Sequence, residues 1–309
     1  MTELKRHTMV EQHCRYSRML NEKHGYMANV EAYINVFIKY IMEHIEYEQK
    51  KYVVNITDNI WEHLDGCFFE DVNIAIDINI NGTPKNNVSK GRINVVDTKL
   101  TENGLLDCLR GNFTFMSTHG DLETKLSAMF AHEILHAYED WKRLTRDKEK
   151  IHDLAKRTNY YKNNTKRNSQ DQITYQISNI VYYLTKFETS AYANTVYGEL
   201  LKTKFNTLED GIKIVENMTI YKNYKLIGKW IENLSQIDNP ILQTHVAVEW
   251  GNATGVENVD YYSAIKNIRN AYRKQYKKFI NTTSKMIYDI YEETHQYLDE
   301  GTDFSKLLK

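Results

Sequence analysis

His132, Glu133 and His136 are the residues whose types and spacing do chemistry: they form an H-E-x-x-H pattern within residues 131–140, AHEILHAYED. The surrounding stretch 122–144 contains neither Gly nor Pro, so a continuous helix is expected there. On a helix the two imidazoles lie one turn apart on one face, where both can bind a single zinc ion. Glu133 then projects beside them toward a metal-activated water. At about 100° per residue, Leu126, Phe130, Ile134, Ala137 and Trp141 fall on a separate stripe, with the histidines well away from its centre. Ala128, Ala131 and Leu135 make the remaining surface small or apolar. The helix should therefore be buried nearly all round, and its two histidines then need polar partners or a metal. The bland alternative is a pair of core histidines.

A catalytic zinc needs a third protein ligand and one open position. Within 173–201, read as one helix, Ile177, Val181, Leu184 and Ala191 form an apolar stripe, and Glu188 falls on it. An ionised carboxylate on such a stripe is costly unless it meets a cation, and zinc would be that cation. The alternative is a rim position or a lysine partner. Glu139 and Asp140 are candidates to orient the imidazoles from behind, Asp140 on the His136 side.

The elements that must position these groups can be read from periodicity. Residues 4–21 and 27–52 read as two helices, the second with Val30, Tyr33, Ile34, Phe37, Ile38, Ile41, Ile45 and Tyr52 at three- and four-residue spacing. From Asp71 the period becomes two: Val72, Ile74, Ile76, Ile78 and Ile80 alternate with polar neighbours, up to the turn signals Asn81-Gly82 and Pro84. Residues 81–90 should lead into a partner strand, with further extended segments at 92–98 and 108–117, giving a small, mostly antiparallel sheet. If 108–117 is the edge strand beside the active helix, an extended peptide could add to it. Everything after Asp121 reads as helical, interrupted near 158–172, 233–240 and 251–260. The fold class expected is α+β and mainly helical: N-terminal helices over 1–70 packing on a core at 71–201, and a helical C-terminal region at 202–309, continuous enough to be one domain.

His132-Glu133-Ile134-Leu135-His136 followed by Glu188-Thr189-Ser190-Ala191 resembles the gluzincin branch of zinc metallopeptidases, whose third ligand is a glutamate on a later helix. The resemblance covers roughly 71–201. A small sheet ahead of the H-E-x-x-H helix is also similar to the minimal zincin fold. The metzincin extension is absent, because positions 139 and 142 are Glu and Lys. The resemblance implies Zn2+ held by His132, His136 and Glu188, with Glu133 as general base and peptide-bond hydrolysis as the reaction. Zinc would lower the pKa of a water and polarise the scissile carbonyl, while Glu133 takes a proton and passes it to the leaving amine. It also implies a Tyr or His that stabilises the oxyanion, for which Tyr192, one turn after Glu188, and His245 are the candidates. Composition and the His136-to-Asp140 ending look like those of peptidases encoded by phages of gut bacteria.

Composition narrows the rest. The chain has 309 residues, 41% hydrophobic and 26% charged, with a formal charge of -1. It has no global field for nucleic acid or acidic lipid. The basic run between Lys142 and Arg167 is diluted by Asp147, Glu149 and Asp153, and reads as a solvated helix and a loop over the cleft; 261–297 reads as an amphipathic surface helix. Three scattered cysteines make neither a disulfide framework nor a zinc ribbon. No Walker loop, dinucleotide fingerprint or serine elbow is present. With no apolar run of membrane length and no signal-like N-terminus, a cytoplasmic protein is expected, with virion association as a variant. The partner would be a peptide or protein substrate. The rival is a non-catalytic protein of zincin fold that binds or builds, such as a component of a larger particle.

Overall fold

The computed structural model describes residues 25–46, 49–80, 90–95, 100–117, 121–146 and 165–295, together with Leu4. The elements are α1 (Gly25–Glu43), β1 (Lys51–Ile56), β2 (Phe69–Ile80), β3 (Lys90–Val95), β4 (Leu106–Ser117), α2 (Leu122–Arg146), a 3-10 turn (Thr165–Asn168), α3 (Gln172–Tyr183), α4 (Lys186–Lys202), α5 (Leu208–Asn217), α6 (Thr219–Leu234), α7 (Pro240–Thr254) and α8 (Tyr261–His295). The α+β, mainly helical class matches the sequence reading.

The strands form one sheet in the order β1-β2-β4-β3. Two pairings are antiparallel, β1 with β2 and β3 with β4; the central one, β2 with β4, is parallel. In β2 the alternation puts Val72, Ile74, Ile76, Ile78 and Ile80 on the covered face, while Asn73 and Asp77 face out. Each such buried aliphatic contributes about 1.5–3 kcal/mol. α1 and α2 cover this face, with Phe37 of α1 stacked on Phe130 of α2 at 4.0 Å and 7°. A second core gathers α3 to α8.

Several expectations change. The 4–21 helix lies outside the described residues, apart from Leu4, which is buried. The second helix ends at Glu43 rather than running to Tyr52, because Tyr52, Val54 and Ile56 bury alternately and belong to β1. The strand after 81–90 pairs with β4, not with β2, whose two edges are already taken by β1 and β4. Residues 108–117 are therefore interior, with Phe113 and Phe115 fully buried, and β3 is the edge strand on that side. The 173–201 helix is two helices. The break is local: Thr185 caps α4 by accepting from the Glu188 N–H (3.2 Å), and no helix continues through a cap. The later interruptions are as expected, with Asn239 capping α7 and Gly255 closing it at φ 73°, a left-handed conformation glycine adopts without penalty. Of the solvated helix and loop expected between Lys142 and Arg167, 142–146 end α2 and 165–167 lie in the 3-10 turn, while 147–164 fall outside the described residues. Among the described residues no helix is long and apolar enough to cross a membrane.

Candidate metal centre

α2 and α4 pack antiparallel, and their contact builds the site. Along α2 toward its C-terminus, Ser127 donates to the Gly198 carbonyl (2.6 Å), the Ala131 carbonyl accepts from Asn194 Nδ2 (3.3 Å), and His132 Nδ1 meets Thr195 Oγ1 (3.0 Å). His132 and His136 then reach Glu188, so residue numbers fall on α4 as they rise on α2. Gly198 sets the approach: a Cβ there would lie 2.6 Å from the Ser127 carbonyl oxygen and 2.9 Å from the Ala131 Cβ. On the opposite side of α2, Leu126, Phe130, Ile134 and Ala137 enter the sheet core, so the packing and histidine faces divide as the helical wheel requires.

His132 Nε2 and His136 Nε2 are 3.2 Å apart; Glu188 Oε2 is 3.5 Å from the first and Glu188 Oε1 is 3.8 Å from the second. A tetrahedral ion with bonds of about 2.0–2.1 Å separates its donors by roughly 3.3 Å, so the three side chains are spaced as ligands are. Glu188 is 2% exposed, and its Oε2 has no hydrogen bond. A carboxylate buried in that state is expensive, and a cation between it and the imidazoles removes the expense. His132, His136 and Glu188 can thus hold a metal ion, and they are the group of potential ligands found among the described residues. Glu188 stands in the first turn of α4, where the helix N-terminus also favours a carboxylate.

Thr195 fixes the tautomer of His132. Its hydroxyl donates to the Ala191 carbonyl (3.1 Å), so its oxygen accepts from His132 Nδ1–H, leaving the Nε2 lone pair toward His136 and Glu188. Burial opposes a charge on His132, but the carboxylates of Glu188 and Glu133 and the Ala191 carbonyl outweigh it and hold its pKa above the ordinary histidine value.

Glu133 sits beside the triad and accepts from the backbone N–H of Ile93 in β3 (3.1 Å). Burial pushes its carboxyl above the ordinary range; His132, the Ile93 N–H and Arg92 pull the other way, and Glu188 adds to the rise. A carboxylate placed and tuned so is suited to accept a proton near neutral pH. Because the Ile93 N–H points to Glu133, the alternate residues Gly91 and Val95 also turn their N–H groups to the outer edge of β3.

Of the two oxyanion candidates, Tyr192 is at the site, its ring centroid 5.0 Å from that of His132. Burial lifts its phenol well above the usual value, with Tyr182, Tyr183 and Glu188 adding to the effect, so it stays protonated and able to donate. His245 is placed elsewhere, on α7, its Nε2 3.6 Å from Oδ1 of Asp171, the residue that caps α3. Glu139 and Asp140 are half-buried in the C-terminal half of α2, and Thr195 stands behind His132. Thr195, Asn194, Gly198 and the Ile93 amide were not found from the sequence. The spacing of Glu188, Ala191, Thr195 and Gly198 by three, four and three was the available signal for a second close-packed face. No family model, no curated protein and no solved structure matches the chain.

Proposed function

We propose that the chain is a zinc-dependent peptidase of the gluzincin kind, with His132, His136 and Glu188 as ligands and Glu133 as general base. The observation that carries this reading is the buried carboxylate of Glu188, without a hydrogen bond at Oε2, set against two imidazole nitrogens 3.2 Å apart. Zinc is favoured over harder cations by the two nitrogen donors. Bound there, the ion would supply a water of lowered pKa and polarise a carbonyl.

The chain's own groups do the rest. Thr195 holds the His132 ring in the tautomer a ligand needs. Glu133 takes a proton from the attacking water and delivers it to the departing amine; its raised pKa brings the two transfers nearer balance at neutral pH. Tyr192, whose ring lies against His132, would donate to the carbonyl oxygen as it gains charge by turning its hydroxyl from Tyr182. The outward backbone groups of Gly91 and Val95 would offer an extended peptide a strand to pair with, on either side of the Ile93 N–H that Glu133 holds.

The test is elemental mass spectrometry on untagged protein beside a casein assay. About one zinc per chain, lowered in Glu188→Ala, together with turnover that Glu133→Gln abolishes at unchanged zinc content and melting temperature, is the expected result. Bound zinc without turnover would leave a binding or structural protein; no zinc even when it is offered would remove the metal centre.

A further inference from the structure

A cavity of about 700 Å3 opens between the start of β3, the 3-10 turn, α3 and α6. Its lining is of two kinds: Lys90 and Arg167 with the amides of Asn168, Asn179 and Asn223, and the rings of Tyr175 and Trp230, packed edge to face at 5.5 Å and 70°. None of the described lining residues is acidic.

Arg167 is placed rather than loose. Its Nε donates to Asn179 Oδ1 (3.1 Å), and Asn179, 6% exposed, returns its Nδ2 to the Arg167 carbonyl (3.3 Å) and to the Tyr175 carbonyl (2.8 Å). The guanidinium lies over the Tyr182 ring, 3.6 Å from its centroid. A buried amide committed to one arginine, with an aromatic plate beneath it, removes the rotamer freedom that a carboxylate partner would otherwise have to freeze.

Ring contacts link the wall of the cavity to the candidate metal centre. Tyr183, in that wall, stacks on Tyr192 at 5.0 Å, and Tyr192 is 5.0 Å from the His132 ring. Along β3, Lys90 is three residues from Ile93, whose N–H meets Glu133. At about 3.3 Å per residue that is roughly 10 Å, so a peptide paired with β3 would run about three residues from Glu133 to the cavity.

We infer that this cavity is a substrate subsite for a carboxylate about three residues from the scissile bond, with Arg167 and Lys90 binding the charge and Tyr175 and Trp230 packing on the apolar part of that residue. The inference rests on the peptidase reading for the peptide's path. The same chemistry comes from two sources, an Asp or Glu side chain or the C-terminus of the peptide.

Binding is read by calorimetry on the full-length, zinc-loaded Glu133→Gln chain, so turnover does not enter. Three hexapeptides of one neutral sequence serve as probes: free at the C-terminus, amidated, and amidated with one Gln replaced by Glu. A carboxylate-bearing peptide should bind at least tenfold more tightly than the neutral one, a difference typical of one charge-assisted contact. Preference for the first peptide identifies a terminal carboxylate, and preference for the third an acidic side chain. Arg167→Gln should reduce the preference to about twofold. Because Arg167 also holds Asn179, Lys90→Gln, on the exposed strand end, provides a second variant expected to lower it severalfold. Equal binding of all three probes, no binding of any, or a preference that survives both substitutions would overturn the subsite. A chain that discriminates the peptides but cleaves none in the wild-type form keeps the subsite and loses the peptidase reading; one that cleaves without discriminating does the reverse.

Discussion

The two cores on either side of the candidate metal centre differ in the aromatics at their middles. At the centre of the sheet core the stacked rings carry no hydroxyl: Phe130 lies on Phe37 at 4.0 Å and near Trp61 at 5.6 Å, almost parallel to both, while the tyrosines of that core, Tyr33 and Tyr52, turn their hydroxyls to the Gly66 and Gln49 carbonyls. The helical core is richer in tyrosines, several of which bond a backbone carbonyl. Tyr224 donates to the Tyr183 carbonyl (3.2 Å), Tyr272 to the Tyr224 carbonyl (3.2 Å) and Tyr261 to the Leu234 carbonyl (2.7 Å). Dry packing is insensitive to rotation about the contact, whereas a hydroxyl bonded to a particular carbonyl fixes register. The sheet side thus provides a stiff platform for His132, Glu133 and His136, and the helical side provides the angular precision that sets Glu188, Tyr192 and Thr195 against them.

The strongest way to test this division is to strike each part separately. Glu133→Gln, on the platform but aimed into the site, should lower peptide turnover by about 10²–10⁴-fold, the usual contribution of a positioned proton acceptor, with no change in zinc content. Phe130→Ala removes the ring at the centre of the dry stack and should destabilise the chain by about 3–5 kcal/mol, read from the denaturant midpoint. If zinc affinity fell in proportion to that lost stability, the platform would be an active part of the ligand geometry and the division would fail.

The same contrast explains what could be read in advance. His132, Glu133 and His136 are local, and the faces of α2 follow from one helix and its period. The β2 strand was equally clear, since Val72 to Ile80 alternate without interruption. Glu188 is legible from its stripe, although the same stripe joins α3 and α4 into one helix. The apolar period ran on through Leu184 and masked the Thr185-x-x-Glu188 cap. Pairings between distant segments left no local trace. Nothing in 51–56 or 106–117 announces that β4 enters parallel between β2 and β3, and Thr195 looks like any helical threonine until α2 is beside it. Tyr52 was misplaced because seven residues after Ile45 satisfies a helix and a strand begins there regardless.

The seam between the two sides gives the next effect in size. Gly198→Ala puts a methyl against the Ser127 carbonyl oxygen and should cost about 1–3 kcal/mol by overpacking. By forcing α4 from α2 it should also weaken zinc binding more than its stability loss alone accounts for, as measured by competition with a chelator. An unchanged zinc affinity would mean that the ligands adjust independently of the helix spacing. Within the helical core, Tyr224→Phe deletes a hydroxyl bonded to the Tyr183 carbonyl and close to Thr189 Oγ1 (3.3 Å), and should cost about 0.5–1.5 kcal/mol. The reverse change on the dry side, Phe130→Tyr, buries a hydroxyl with no partner provided and should cost more, about 1–3 kcal/mol. Equal effects would erase the distinction between the cores.

The smallest effect concerns charge and belongs to the helical side alone. Asp171 caps α3 by accepting from the Thr174 N–H (2.7 Å), and that bond, with His245 assisting, holds its carboxyl below the ordinary aspartate value. A carboxylate with a lowered folded pKa adds stability that is fully present above its unfolded pKa, about 3.9, and is lost as pH falls through the folded value. Asp171→Asn keeps a capping oxygen but cannot titrate. At pH 7 the wild type should therefore be more stable than Asp171→Asn by a few tenths of a kcal/mol, a small figure because the side chain is 50% exposed and solvent screens it. The gap should close as pH falls below the unfolded pKa and through the lowered folded one, in urea midpoints taken at constant ionic strength. Because α3 carries Asn179 and Tyr183, the same titration should loosen the wall between the cavity and Tyr192 before it disturbs the sheet platform. Tryptophan fluorescence from Trp230 changing at a higher pH than far-ultraviolet ellipticity would show that order, and coincident transitions would mean that the two sides unfold as one.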